Sequence, residues 1–163
     1  MVQRLEVLRG EIDKLLMDEK PKDGRYLNLH LYGTSSFCAL LAVRRGLDGE
    51  LAAAAGMLHD VSKIASDDWE NHAVKSAKIA GEMLGALGLW NEDEILLIAD
   101  AISRHTDKED VHEPFDELLK DADVMAHSFY NPDYFCGNGF PDIKGIEKRY
   151  QGVLAELGCE WRD

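Results

Sequence analysis

Segment after segment of this chain, apolar residues return at intervals of three and four, the period of an α-helix and not of a strand. From Val2 to Asp18, residues Leu5, Leu8, Ile12, Leu15 and Leu16 fall on one helical face. The pattern stops at Glu19-Lys20-Pro21-Lys22-Asp23-Gly24, a turn composition. A second helix is expected over Leu27–Arg45, closed by Gly46 in a left-handed cap. A third, Leu51–His59, is Ala-rich, has the character of a buried helix, and has Asp48 placed to cap it. Ile64–Glu70 is polar and loop-like. Asn71 then stands where it can cap a fourth helix, His72 to about Leu87. Asn91 with Glu94 three residues on reads as a capping box for a fifth, whose buried stripe is Ile95, Ile98, Ala99 and Ile102. Pro114 suits the first position of a sixth, Pro114–Ser128. Phe129–Pro141 is rich in aromatics, Gly and Pro and is expected to be a long loop, followed by a last helix over Ile143–Leu157.

Residue usage agrees. The chain holds 21 Leu and 16 Ala against 8 Val, 8 Ile and 2 Thr, and β-branched side chains are what pleated surfaces select. The expectation is therefore an all-α fold, a bundle of about six to seven helices in a single domain over residues 1–163, long enough to bury a core without disulfides. Its three cysteines, Cys38, Cys136 and Cys159, are odd in number and widely spaced, as in the reduced thiols of a cytoplasmic protein.

Charge narrows the partners. Eighteen Lys and Arg against 31 Asp and Glu leave a formal charge of −13. Such a surface repels a nucleic-acid polymer and an anionic membrane. No apolar run reaches the roughly 20 residues of a membrane span, and Met1–Glu6 lacks the apolar segment of a signal peptide. A small anionic substrate would need local cations to offset the field, and metal ions are one source.

The residues that carry chemistry are histidines and aspartates. His59-Asp60 comes where the buried third helix ends. His30 lies upstream near the start of one helix, and Asp123 lies inside a later one, in Lys120-Asp121-Ala122-Asp123-Val124-Met125-Ala126-His127. Lys63 completes His-Asp-x-x-Lys, His72 opens the fourth helix, and His105 closes the fifth. Imidazole and carboxylate together suit iron, manganese, zinc or cobalt, and no thiolates are placed for a structural zinc site. Neighbours in a regular helix point about 100° apart, so His59 and Asp60 converge only if the helix ends or distorts there.

At these residues the chain resembles the HD-domain superfamily of metal-dependent phosphohydrolases. The order matches that family's His…His-Asp…Asp signature and its longer variant with two further histidines, found in members with two metals. The resemblance covers about residues 27–127, leaving a C-terminal loop and helix over 129–158. It implies a compact HD-like helical bundle and one or two divalent transition-metal ions, iron or manganese first, with zinc, cobalt or nickel as alternatives. It implies that His30, His59, Asp60 and Asp123 hold one metal, and that Asp60 bridges to a second held by His72 and His105. Asp121 competes with Asp123, and the family's Asp-Ala-Asp places the second aspartate in the site. The implied activity is hydrolysis of a nucleotide or another small phosphate ester by a metal-activated water, with Asp60 and Lys63 as catalytic residues. Two other readings share the ligand order. One is a di-iron oxygenase of the same fold, acting on a polyol or phosphonate. The other is a non-catalytic metal- or nucleotide-binding module.

Around this set stand weaker candidates, each with a plainer role beside it. Lys63 is a phosphate contact or a loop-fixing ion pair. His127 shares a helix face with Asp123 and either approaches the pocket or sits behind it. Arg104 and Arg25 are phosphate contacts or surface pairs. Arg44 and Arg45 answer a helix dipole. His112, in a charged stretch, is expected to be solvated. Tyr130, with Phe129, Tyr134, Phe135 and Phe140, either stacks on a nucleobase or packs a loop on the core, packing being the commoner use. The first and last helices are the surfaces expected to meet in any homo-oligomer.

Overall fold

The computed structural model describes residues 3–66, 70–130 and 145–159, and among them every regular element is a helix. In chain order these are α1 (Arg4–Glu19), α2 (Gly24–Arg45), α3 (Gly49–Leu58), α4 (Ser62–Ala65), α5 (His72–Leu87), α6 (Glu92–Arg104), α7 (Pro114–Tyr130) and α8 (Ile146–Glu156). The short α4 overlaps the start of the stretch Ile64–Glu70, expected to be loop-like with at most a short turn.

The centre is α3. Leu51 to Leu58 are all buried, and the helix packs against α1, α2, α6 and α7. Its alanines and Gly56 let neighbouring helices come close. A Cβ on Gly56 would lie 2.7 Å from Ser35 Cα, so the α2–α3 crossing requires glycine there. That crossing sets the depth of His30 on α2 against His59 at the end of α3. Arg4 fastens α1 to the bundle through Glu50 at 2.6 Å and Glu94 at 3.0 Å, with its guanidinium over the Trp90 ring.

Local signals mostly hold. Asp48 Oδ1 accepts from the backbone N–H groups of Glu50 and Leu51. Gly46 closes α2 at φ 68°. Asn91 and Glu94 form both bonds of the capping box, and α7 begins at Pro114. Other positions differ. Asn71 precedes α5 but is itself left-handed, φ 54°, and its side chain caps nothing. The backbone carbonyl of Asn71 accepts from Lys75 N, the first bond of the helix. The second helix starts one turn early, at Gly24, because Asp23 O accepts from Leu27 N and places Tyr26 on the helix. The sixth predicted helix runs on to Tyr130. Phe129 and Tyr130 therefore belong to a helix end and not to the loop, and Phe129 packs beside Phe37 and Tyr150. Residues 131–144, with Tyr134, Phe135, Cys136 and Phe140, lie outside the described residues, as does the predicted helix start at Ile143. No described helix is long and apolar enough to cross a membrane.

Candidate metal centre

Five of the six histidines meet in one place. His30 and Tyr26 come from α2, His59 and Asp60 from the end of α3, and His72 from the first turn of α5. His105 closes α6, and Asp123 and His127 project from α7.

The regular part of α3 ends at Leu58, and the chain continues as tight turns whose bonds span three residues: Val61 N to Leu58 O, Lys63 N to Asp60 O and Ile64 N to Val61 O. In that changed geometry the adjacent side chains of His59 and Asp60 face one cavity, Nε2 standing 3.5 Å from Oδ2. Backbone carbonyls select the tautomers. His59 Nδ1–H donates to Gly56 O at 2.8 Å, and His105 Nδ1–H donates to Ile102 O at 2.7 Å. A carbonyl only accepts, so each ring leaves an Nε2 lone pair facing inward, the form that binds a metal. His30 Nε2–H then donates to His59 Nε2 at 3.0 Å.

The two aspartates lie among these rings. Asp60 Oδ1 faces His72 Nε2 at 3.4 Å and His105 Nε2 at 3.5 Å, while its Oδ2 lies 3.5 Å from both His30 Nε2 and His59 Nε2. One carboxylate thus presents a different oxygen to each pair of imidazoles, the disposition of a bridging ligand. Asp123 Oδ1 faces His30 at 3.2 Å, His127 at 3.3 Å and His59 at 3.5 Å. A buried lysine takes an oxygen of each: Lys63 Nζ donates to Asp60 Oδ2 at 2.7 Å, and Lys108 Nζ to Asp123 Oδ2 at 2.6 Å. Both Oδ1 atoms are buried and make no hydrogen bond.

These residues fit a metal. Buried carboxylate oxygens without hydrogen bonds are costly unless a cation meets them, and inward-facing imidazoles surround both. The ligand atoms of His30, His59 and Asp60 lie within 4.8 Å of one another, as do those of Asp60, His72 and His105, of His59, His105 and Asp123, and of His30, Asp123 and His127. The 3.0 Å between the His30 and His59 nitrogens also matches two adjacent ligands on one ion at about 2.1 Å each.

Charges follow the geometry. Burial opposes ionisation of Asp60, but His59, His105 and His30 hold its carboxyl well below the usual range. Burial likewise opposes ionisation of Asp123, and the Lys108 ammonium and His127 outweigh it. His30 is pushed up to about 9, since the Asp123 and Asp60 carboxylates outweigh its burial. Burial pushes His59 down, and His127 down to about 4.

Around the cluster, Tyr26 Oη–H donates to His127 Nδ1 at 2.9 Å, and the Tyr26 ring lies parallel to His30. Tyr130 stands edge-on to Tyr26, its own surface exposed. The structure brings together His30, His59, Asp60, Lys63, His72, His105, Asp123 and His127, with Tyr130 at the rim. Arg104 turns elsewhere: Nη1 donates to Asp116 Oδ2 at 2.8 Å, an ion pair in place of the phosphate contact considered above. Arg25 is exposed. Arg45 is held by Asp121 and Glu156, both at 2.8 Å, a pairing more specific than a helix dipole. Asp121, the competitor of Asp123, is occupied by Arg45 and Arg149. His112 is half-buried and accepts from Lys120 Nζ at 2.7 Å, not solvated as expected.

Two participants escaped the sequence reading. Tyr26 stands four residues before His30, a same-face spacing. Lys108 stands three residues after His105, but a lysine in a charged stretch gives no sign of burial.

Comparison with known proteins bears on the family and on the fold. The family model described as HD domain matches residues 29–127. A crystal structure described as a predicted HD superfamily hydrolase, from an uncultured Thermotogales bacterium, superposes with a TM-score of 0.56. The two share 19% sequence identity, and the match covers 85% of this chain and 90% of that one. At that identity the likeness shows the helical fold.

Proposed function

Because the chain belongs to the HD-domain family of metal-dependent phosphohydrolases, we propose that it hydrolyses a nucleotide or another small phosphate ester at a centre holding two divalent first-row metal ions, iron or manganese. His30, His59, Asp60 and Asp123 would hold one ion and Asp60, His72 and His105 the other. The single observation that carries this reading is the pair of buried Oδ1 atoms, on Asp60 and Asp123, that make no hydrogen bond and are ringed by imidazole nitrogens. Bound there, such ions supply Lewis acidity, lowering the pKa of water and polarising phosphoryl oxygens.

The chain's own residues do the rest. Asp60 offers one oxygen to each set of histidines and fixes the spacing of the two positions. Gly56 O and Ile102 O keep His59 and His105 in the ligating tautomer. Lys63 holds Asp60 from the side and keeps a cation close to where a phosphoryl group must sit. Two divalent ions on two carboxylates leave two positive charges, and Lys63 and Lys108 add two more. A small anion is thereby drawn into a chain of formal charge −13, while a polymer spread over that surface is repelled. Tyr26, His127 and the exposed Tyr130 form the wall that the non-reacting part of the substrate would meet.

The test is phosphate release from a panel of nucleotides and phosphomonoesters by protein loaded with manganese or iron. Asp60→Ala should lose bound metal and all release while keeping its far-ultraviolet helical signal. Oxygen consumption with polyols or phosphonates, and no phosphate release, contradicts the reading and favours the di-iron oxygenase.

A further inference from the structure

The family match ends at residue 127, yet a helix beyond it bonds the backbone of the lysine that pairs with Asp123. We propose that Lys108 is a positioning residue that fixes Asp123 with Oδ1 toward the imidazoles, and that α8 holds Lys108 in place through Arg149 and Gly145. The proposal rests on the two-metal reading of the site.

The first ground is a parallel. Lys108 donates to Asp123 Oδ2 as Lys63 donates to Asp60 Oδ2, and in each aspartate Oδ1 makes no hydrogen bond. Lys63 lies inside the His-Asp-x-x-Lys turn and is fixed by it. Lys108 lies in the connection between α6 and α7 and needs other support. Its side chain is only 8% exposed, and Nζ also donates to Lys120 O at 3.3 Å, so the ammonium has two fixed acceptors.

The second ground is what stands behind it. Arg149 Nε donates to Lys108 O at 2.8 Å. Gly145, the residue that opens α8, has φ 86°, and a Cβ there would lie 2.7 Å from Lys108 O. Only glycine lets the helix start against that carbonyl. Arg149 is itself held by Asp121 at 2.8 Å and Glu117 at 2.9 Å, both on α7. The circuit closes on the helix that carries the ligand. In Asp121-Ala122-Asp123, one carboxylate holds Lys108 by its ammonium, and the other holds Arg149, which holds Lys108 by its backbone.

A carboxylate locked by such partners binds metal in one orientation, and loss of a supporting partner typically weakens metal binding about 10–100-fold. The experiment is a cobalt(II) titration of the full chain, followed by its visible absorption, with wild type, Lys108→Met, Lys108→Arg and Arg149→Lys. Lys108→Met should bind the ion of the His30–His59–Asp123 position about 10–100-fold more weakly and with an altered cobalt spectrum. Lys108→Arg, which keeps a cation, should recover most of the affinity. Arg149→Lys, which keeps the charge near Asp121 and Glu117 but loses the guanidinium fork, should show a smaller loss in the same direction. Wild-type affinity and spectrum in Lys108→Met overturn the proposal. Tighter binding also overturns it, because the ammonium would then be the metal's competitor. Should Lys108→Met fail to fold, unchanged cobalt binding by Arg149→Lys overturns it alone. A wild-type chain that takes up no cobalt is a different result, and removes the metal reading with everything built on it.

Discussion

His30 shows how a single side chain couples folding, protonation and metal. Without metal its ring is pushed up to about 9, the Asp123 and Asp60 carboxylates outweighing burial. A histidine raised above its ordinary 6.5 stabilises the fold fully below that value, and the contribution fades as pH climbs through the raised value. A ligating ring must be neutral, so metal binding expels this proton. Between about pH 7 and 9, metal affinity should rise by up to about tenfold per pH unit, one proton being released per chain. Over the same range the thermal midpoint of the metal-free protein should fall. Calorimetric titration in buffers of different ionisation enthalpy counts the proton, and an affinity flat across the range contradicts the assignment. The ligand residues were legible because each stands in a fixed order at an element end or on a helix face. Lys108 was not, because its partners, Asp123 and Lys120 O for the ammonium and Arg149 for the backbone carbonyl, stand 12 to 41 residues further along the chain.

At the scale of elements, the signals that could be read were those settled by nearest neighbours. The capping box of Asn91 and Glu94 is one. Replacing Asn91 by alanine should cost about 1 kcal/mol of stability in denaturant unfolding and leave metal stoichiometry unchanged, since the α6 start is remote from His105 at the other end. Asn71 shows the limit. A residue of the right type stands at the right place, but its backbone is left-handed, φ 54°, and no cap forms. Gly56 gave no sequence signal at all, since its role belongs to a crossing between helices. Gly56→Ala places a methyl 2.7 Å from Ser35 Cα, and overpacking of this kind costs about 1–3 kcal/mol. Because α3 would shift from α2, metal affinity should fall together with the unfolding midpoint. A variant destabilised but binding metal as tightly as wild type would show that the crossing does not set the His30–His59 spacing.

For the whole molecule, helical periodicity and residue usage were enough to read an all-α bundle, since both are properties of the whole chain. What they could not show is which charged side chains the bundle encloses. Lys120 is fully buried, its ammonium shared among Asp110 O, His112 Nδ1 and Glu117 Oε1. Such a lysine reads as solvent-facing until the helices around it are assembled. Arg4 works at the same scale, joining α1 to α3 and α6 through Glu50 and Glu94. Its pairs are partly exposed, so Arg4→Ala should lower stability by about 1 kcal/mol or less, with metal content intact. The surface field belongs here too. With a formal charge of −13, the rate of capture of a small anion should rise with ionic strength as the outer repulsion is screened.

The most direct measurement is anomalous diffraction from crystals grown with manganese. Two peaks are expected, one among His30, His59, Asp60 and Asp123, the other among Asp60, His72 and His105, with Asp60 reaching both. Manganese bound elsewhere, or a fully folded chain that leaves these residues without a peak at saturating metal, would contradict the account.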